Sequence, residues 1–531
     1  MIYVNQLGYQ WNGVKHATVS GSRSYTLHKE NGEAVLQGEA GPLSTDENSA
    51  EQVAVLDFSS VTEAGRYYFT DGDGQKSAVF PIGEQVYDGA LRAALKMFYF
   101  QRCGMELEEK YAGRFAHKTC HTGQAYYLDA PEKKTELSGG WHDAGDYGRY
   151  ITAAAVAVGH LLYAYALAPE AFLEETGIPE SGSGLPDILN ECRYELDWML
   201  KMQDADGGVH HKATSMHFVD FVMPQEDVLE VVITPVSSLA TADLAAAAAL
   251  AARVYEPFDA AYAARLKEAA VRAGDWLAAH PDFLFHDPQE VGTGSYEDLC
   301  DADERLWAAA ELYRLTKDAA YLAPLKQILE LKLNLTALGW ADVAGFAGMC
   351  ILTAEEGCFD AMVTDKFRYR WLDEADRLLR VAEGNGFELA MHPSDFIWGS
   401  NMLVLCNAMV LELAHCLTGE QKYLQGARYQ LDYIFGRNAM DTSYVTGQGE
   451  RAFRDPHNRP GIADGIDEPI PGFVSGGPNR GACDTKANAE LLQGVAPMKC
   501  YADHYLSYST NEITIYWNSP LVFALAYLKK G

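Results

Sequence analysis

The spacing of apolar residues changes character near Tyr87, and that change limits the fold more than any other feature of the chain. Upstream, short apolar runs alternate with turns. They are Ala17-Thr18-Val19, Tyr25-Thr26-Leu27, Glu33-Ala34-Val35-Leu36, Val53-Ala54-Val55-Leu56, Arg66-Tyr67-Tyr68-Phe69 and Ala78-Val79-Phe80. Runs of this length and spacing predict a small sandwich of immunoglobulin type. Asn31-Gly32 predicts a type I′ hairpin, which needs positive φ at both central residues, and Asp71-Gly72-Asp73-Gly74 predicts a further turn. Downstream, 3–4 spacing takes over, beginning with Leu91, Ala94, Leu95, Phe98 and Gln101. Helices are expected around 148–167, 237–255, 259–279, 301–316, 319–333, 398–417, 420–436 and 518–529. The reading is therefore a β-sandwich over residues 1–83 and a mainly α domain over 84–531. Long loops at 104–147, 204–236 and 437–500 interrupt the helices. Long loops inside a compact domain are usually functional, so the chemistry is expected there.

Charge narrows the partners. Forty-two Lys and Arg stand against 74 Asp and Glu, a formal net charge of −32. A phosphate backbone needs a basic footprint, so nucleic acid is excluded, and an anionic membrane surface is excluded on the same ground. A neutral sugar is compatible, and solubility alone accounts for the charge equally well. No stretch reads as long and apolar enough to span a bilayer, and the alanine-rich run Ala242–Ala252 is too short. The start, MIYVNQLGYQ, has neither a basic n-region nor an apolar h-region. A cytoplasmic protein is expected as the chain stands, or a secreted one if a leader has been removed. The ten cysteines are dispersed and expected to be mostly free. Cys192, Cys406 and Cys416 read as small buried hydrophobes. Neither a phosphate loop nor a G-x-S-x-G elbow occurs, and no organic cofactor is expected. Monomer is the default.

Two segments have the composition of a catalytic site. Gly139-Gly140-Trp141-His142-Asp143-Ala144-Gly145-Asp146 sets two carboxylates three apart among residues small enough for a tight turn. Paired carboxylates beside an aromatic suit acid–base work on a sugar; a calcium loop or a helix-capping turn has the same composition. In Ser509-Thr510-Asn511-Glu512-Ile513-Thr514-Ile515-Tyr516-Trp517-Asn518 a lone glutamate enters an aromatic environment. Burial there would keep it protonated, as a general acid requires; a surface glutamate at a helix start is the plainer alternative.

Three segments in order, GGWHDAGDYGRY, SYVTGQG with DPHNRP at 443–460, and NEITIYWNSPLVFALAYL, resemble glycoside hydrolase family 9 over nearly the whole chain. VNQLGY at 4–9 resembles the start of the immunoglobulin-like domain of one subgroup. The resemblance implies an (α/α)6 barrel and hydrolysis of β-1,4-glucan with inversion, endo-acting. Exo-cleavage of short oligosaccharides, by a cellodextrinase, cellobiohydrolase or exo-β-glucosaminidase, is the alternative. Asp146 matches the catalytic base, Asp143 the carboxylate that helps hold the water, and Glu512 the general acid. Inversion sets acid and base about 6.5–9.5 Å apart. His457 and Arg459 match a sugar-binding signature, with Asn458 where a second histidine often lies. Trp517 matches an aromatic placed against the sugar, and Trp307 and Trp398 are further candidates beside plain core packing.

The resemblance also implies metals. Cys103, Cys120, His121 and His142 match the subgroup's structural zinc ligands, a closed tetrahedral set of thiolates and imidazoles. Asp298, Asp303, Glu304 and Asp342 match a family calcium site and, with Asp301, make an acidic cluster of the hard oxygen donors that calcium prefers. A solvated acidic helix start is the alternative.

Overall fold

The computed structural model describes residues 1–281, 283, 285–482, 484, 490 and 492–530. The first 83 residues form two facing sheets. One runs Ile2–Tyr3, His16–Ser20, Gln52–Asp57, Ser44–Thr45; the other runs Tyr9–Gln10, Phe80–Gly83, Gly65–Asp71, Ser24–Lys29, Ala34–Glu39. Alternation explains them: along Gly65–Asp71, Tyr67, Phe69 and Asp71 are buried while Tyr68 and Thr70 between them are not. The inward side chains meet in a core centred on Phe58, Phe69 and Phe80, whose rings lie 5.2–5.7 Å apart.

Two local expectations are corrected. The hairpin at Asn31-Gly32 is present, but only Gly32 has positive φ, at 91°. Gly32 N–H closes a turn on the Lys29 carbonyl, and the register shifts between Leu27 and His28. This is a type I turn with a glycine bulge, so no type I′ turn forms. The last strand starts at Phe80 and includes Pro81, two residues later than the Ala78–Phe80 run.

Two compact units make up the chain. One comprises Met1–Met97, Glu374–Gly461 and Ile466–Gly531; the other comprises Phe98–Asp373 and Ile462–Gly465. In the second unit, helices cover Ile151–Leu167, Asp187–Met199, Ser238–Tyr255, Ala260–Ala279, Ala302–Thr316 and Ala344–Leu352. A five-stranded sheet between Gln124 and Ile233, and a two-stranded one of Val209–His210 and Val236–Ser237, lie largely in two of the long loops. Helix Asp187–Met199 has no clean apolar stripe because Asp187, Glu191 and Glu195 point inward and are buried. The helix expected over 319–333 ends at Ile328. Helix Ala361–Glu383 reads weakly because it is highly charged; Val363, Phe367, Trp371, Ala375 and Leu378 give it a narrow buried stripe.

The first unit joins the sandwich to helices Ser400–Thr418, Gln421–Ile434 and Ile515–Lys530. The NQLGY segment makes that joint. Asn5 Nδ2 donates to Asp432 Oδ1 at 2.8 Å, Gln6 N–H to the Phe435 carbonyl at 2.8 Å, and Gln6 Oε1 accepts from Arg451 N–H at 2.7 Å. Beside it, buried Arg437 pairs with Glu388 at 2.5 Å and donates to Thr18 Oγ1 at 3.0 Å. His16 reaches the same carboxylate at 2.8 Å. Burial pushes the Glu388 carboxyl up, but Arg437 and His16 outweigh it and hold it below its ordinary range.

Helix Ser400–Thr418 is long and apolar enough to cross a bilayer, which corrects the expectation of no such stretch, and most of it is buried inside the protein. The described cysteines are free. Cys192 and Cys406 are buried as expected, whereas Cys416 is exposed at the end of its helix.

Candidate functional site

The carboxylate pair lies in the second unit, on a loop shaped by glycines. Gly139 and Gly140 have φ of 104° and 76°, which glycine adopts without strain, and a Cβ on Gly140 would come within 2.8 Å of the Trp198 ring. The strip 101–103 pairs along 140–142: Cys103 N–H donates to the Gly140 carbonyl and His142 N–H to that of Gln101. Gln101 Nε2 adds bonds of 2.9 Å to the carbonyls of His142 and Ala144. Trp141 Nε1 donates to Glu191, and its backbone N–H to Glu195. The turn then closes on itself. Asp143 N–H donates to the Gly148 carbonyl at 2.9 Å, and Gly148 N–H to Asp146 Oδ1 at 2.5 Å.

Asp143 and Asp146 are both buried. The Tyr296 hydroxyl donates to Asp143 Oδ2 at 2.5 Å, while Oδ1 has no partner. Burial, with the Asp146 charge adding to it, holds the Asp143 carboxyl well above its ordinary range, and the Tyr296 bond works against them. Tyr296 has a φ of 49°, uncommon for a bulky residue. Its ring is fixed between Tyr150 at 4.7 Å and Trp340 at 5.0 Å. The loop carrying Tyr296 is anchored by buried Lys212, whose ammonium lies 2.8 Å from Asp287 and donates to the Gly294 carbonyl at 2.8 Å. Neither Tyr296 nor Lys212 was expected, since no motif surrounds them.

The glutamate lies in the first unit. Residues 510–512 run between two strips: His457 N–H donates to the Asn511 carbonyl, Gly476 N–H to that of Glu512 and Gly477 N–H to that of Thr510. Gly476 must be small because a Cβ there would meet the Trp517 ring at 2.8 Å. His457 Nδ1 bonds the Tyr505 carbonyl at 2.6 Å and so carries the proton, leaving Nε2 as the acceptor of the neutral ring. Burial lowers the affinity of this imidazole for a second proton, and the Arg459 charge adds to that effect. Arg459 is buried at the start of helix Arg459–Ala463. Asn458 accepts from Gly461 N–H at 3.1 Å and so serves that helix start as a capping side chain.

The tryptophans separate by exposure. Trp517, at 3% exposure, packs under Gly399 and Gly476. Trp307, at 0%, stacks on Phe346 at 4.5 Å. Neither ring presents a face to a ligand, so core packing accounts for both. Trp398 is 51% exposed and leads an aromatic row through Tyr508 at 5.5 Å to His457 at 5.9 Å.

Cys103, Cys120, His121 and His142 bring their donor atoms within 4.8 Å of one another. His121 Nδ1 and His142 Nε2 are 3.2 Å apart, close to the edge of a tetrahedron with Zn–N bonds of about 2.0–2.1 Å. The far nitrogen of His121 meets Asp227 at 3.3 Å, the carboxylate–histidine pairing that orients metal ligands. Asp227 had no sequence signal.

The acidic cluster is looser: among the described residues no carboxylate trio closes to the spacing the Cys and His donors reach. Asp303 accepts from Val343 N–H at 2.7 Å, and Asp301 pairs with Arg305 at 2.8 Å. Burial, aided by Asp303 and Asp298, pushes the Asp342 carboxyl up to about 7. Burial, aided by Asp303 and Asp243, raises that of Glu304 well above its ordinary value. Asp243, unexpected from sequence, is fully buried with both oxygens unpartnered.

Residues 87–525 match the description of glycosyl hydrolase family 9. The chain belongs to that family. It is a glycosyl hydrolase, and its helical part is the family's (α/α)6 barrel. Residues 1–76 match the cellulase N-terminal ig-like domain. A cellodextrinase of Butyrivibrio fibrisolvens is 42% identical over 545 residues, covering 99% of each chain. A mutant thermostable endoglucanase from Alicyclobacillus acidocaldarius superimposes with a TM-score of 0.94 at 39% identity, covering 100% of this chain and 99% of that one. The structure of AaCel9A in complex with cellobiose-like isofagomine matches with the same TM-score and identity and covers both chains fully.

Proposed function

We propose that this family 9 hydrolase cleaves β-1,4-linked glucan with inversion. The observation that carries the reading is the loop that buries Asp143 and Asp146 together and braces one of them with Tyr296. Asp146 takes a proton from water, Asp143 helps hold that water, and the water oxygen bonds to the anomeric carbon as the glycosidic bond breaks. Glu512 gives its proton to the departing oxygen. His457, Arg459 and Trp398 contact the sugars. Cys103, Cys120, His121 and His142 would hold a structural zinc, which would tie the 104–121 loop to the strip just before Asp143. Asp298, Asp303, Glu304 and Asp342 would supply the oxygen donors if calcium binds the acidic cluster.

The finer substrate divides into two readings. The endoglucanase among the relatives supports attack within long chains. The cellodextrinase, matched end to end at 42% identity, supports short oligosaccharides. A product time course on cellohexaose with viscometry on carboxymethyl cellulose separates them. Mixed early products with a fast viscosity drop mean endo-action. One small product released stepwise at constant viscosity means the exo-acting alternative. Asp146→Asn and Glu512→Gln fold yet lose turnover; near-normal activity in either removes the assigned role.

A further inference from the structure

Tyr296 sits in the left-handed backbone region, with φ of 49°. A bulky residue keeps such a conformation only where its surroundings over-determine it. The carbonyls of the two residues before it are both taken. Lys212 Nζ donates to the Gly294 carbonyl at 2.8 Å, and His211 Nε2 donates to the Ser295 carbonyl at 2.9 Å. Both donors are fixed in turn. His211 stacks on Phe285 at 4.1 Å. Lys212 is buried, and its ammonium lies 2.8 and 2.9 Å from the two oxygens of Asp287. Burial lowers the affinity of Lys212 for its proton, and the charges of Asp287 and Asp146 work against that. The strand Lys212–Thr214 pairs antiparallel with Arg149–Tyr150, with Lys212 opposite Tyr150. Ile151 N–H adds a bond of 3.1 Å to the His211 carbonyl. The loop of Asp143 and Asp146 thus runs straight into the strand against which the Tyr296 loop is clamped. The circuit closes where the Tyr296 hydroxyl donates to Asp143.

We infer that His211, Lys212 and Asp287 are positioning residues for Tyr296: they hold the strained backbone from which its hydroxyl reaches Asp143. The inference rests on the reading of Asp143 as the carboxylate that helps hold the attacking water. A donor in such a site works only within about half an ångström of its productive place, and a misplacement of about 1 Å costs on the order of 100-fold in rate. The bonds from Lys212 are charge-assisted, so losing them frees the loop more than losing a neutral bond does.

The test is a double-mutant cycle on cellotetraose in the full chain, with a thermal melt of each variant. Lys212→Met is expected to lower kcat by about 10- to 100-fold, with KM nearly constant. In a Tyr296→Phe background the same replacement is expected to cost less than about threefold more, because the hydroxyl it positions is already gone. Asp287→Ala behaves as Lys212→Met does. Asp287→Asn recovers part of the loss, because its amide oxygen still accepts from the ammonium. Asp287 is only partly buried, so its variants carry the test if Lys212→Met does not fold. A loss of the same size in both backgrounds, or unchanged kcat in the folded single variants, overturns the inference. Tyr296→Phe alone is the reference. If it loses turnover while the Lys212 and Asp287 variants do not, the positioning role fails and the link from Tyr296 to Asp143 survives. If Tyr296→Phe keeps the parent kcat, that link falls and the inference falls with it.

Discussion

Replacing Tyr296 by Phe removes one oxygen atom and its hydrogen bond to Asp143. The ring stays, because Tyr150 and Trp340 pack it on two sides. What disappears is the 2.5 Å bond to Asp143 Oδ2. Asp143 Oδ1 already has no partner, so the variant leaves a buried carboxyl with both oxygens unmatched. Leaving a buried acceptor unsatisfied costs about 1–3 kcal/mol. At about 1.36 kcal/mol per factor of ten, that is roughly a 5- to 150-fold fall in kcat if Asp143 helps hold the attacking water. KM is expected to move little. Steady-state kinetics on cellotetraose give kcat and KM, and a thermal melt alongside shows whether the fold is intact. A folded Tyr296→Phe enzyme within twofold of the parent kcat would refute the link from Tyr296 through Asp143 to the chemistry.

Cys120→Ser is expected to lose one bound zinc per chain by elemental analysis and to lower the melting temperature. Asp227→Asn is expected to weaken zinc about 10- to 100-fold through its hold on His121, read by chelator competition. Arg437→Met removes the guanidinium from Glu388 and leaves that half-buried carboxylate only His16, which is expected to cost about 1.5–3 kcal/mol in a denaturant titration. Because Glu388 is held below its ordinary value, the stability it contributes is present above the unfolded carboxylate pKa of about 4.3 and is lost as pH falls through the folded value. Melting temperature against pH should therefore drop on the acid side, and less steeply in Glu388→Gln. Calcium at 100 times its dissociation constant should stabilise the protein by about 2.7 kcal/mol, and Asp303→Asn should abolish that gain.

The sandwich and most helices follow from residue periodicity because both patterns are local. The loop of Asp143 and Asp146 stands out in the sequence for the same reason: its glycines and carboxylates lie within one short stretch of chain. Tyr296 was not, because what marks it is a positive φ and two rings brought to it by the tertiary fold. Asp227 and Asp243 became visible only when distant segments met. Helix Asp187–Met199 hid behind inward-facing acids that serve Arg102 and Trp141. The tryptophans show another limit. Residue type made Trp307, Trp398 and Trp517 equal candidates, and exposure, which is a property of the packed chain, separates them.

Hydrolysis of cellotetraose followed by proton NMR from the first turnovers tests the central claim most directly, because the anomer formed reports the geometry of attack. The account predicts α-anomeric reducing ends first, with the β form growing only as mutarotation proceeds. β-Anomeric product from the first spectrum would mean retention through a covalent intermediate, and would contradict the roles given to Asp143, Asp146 and Glu512.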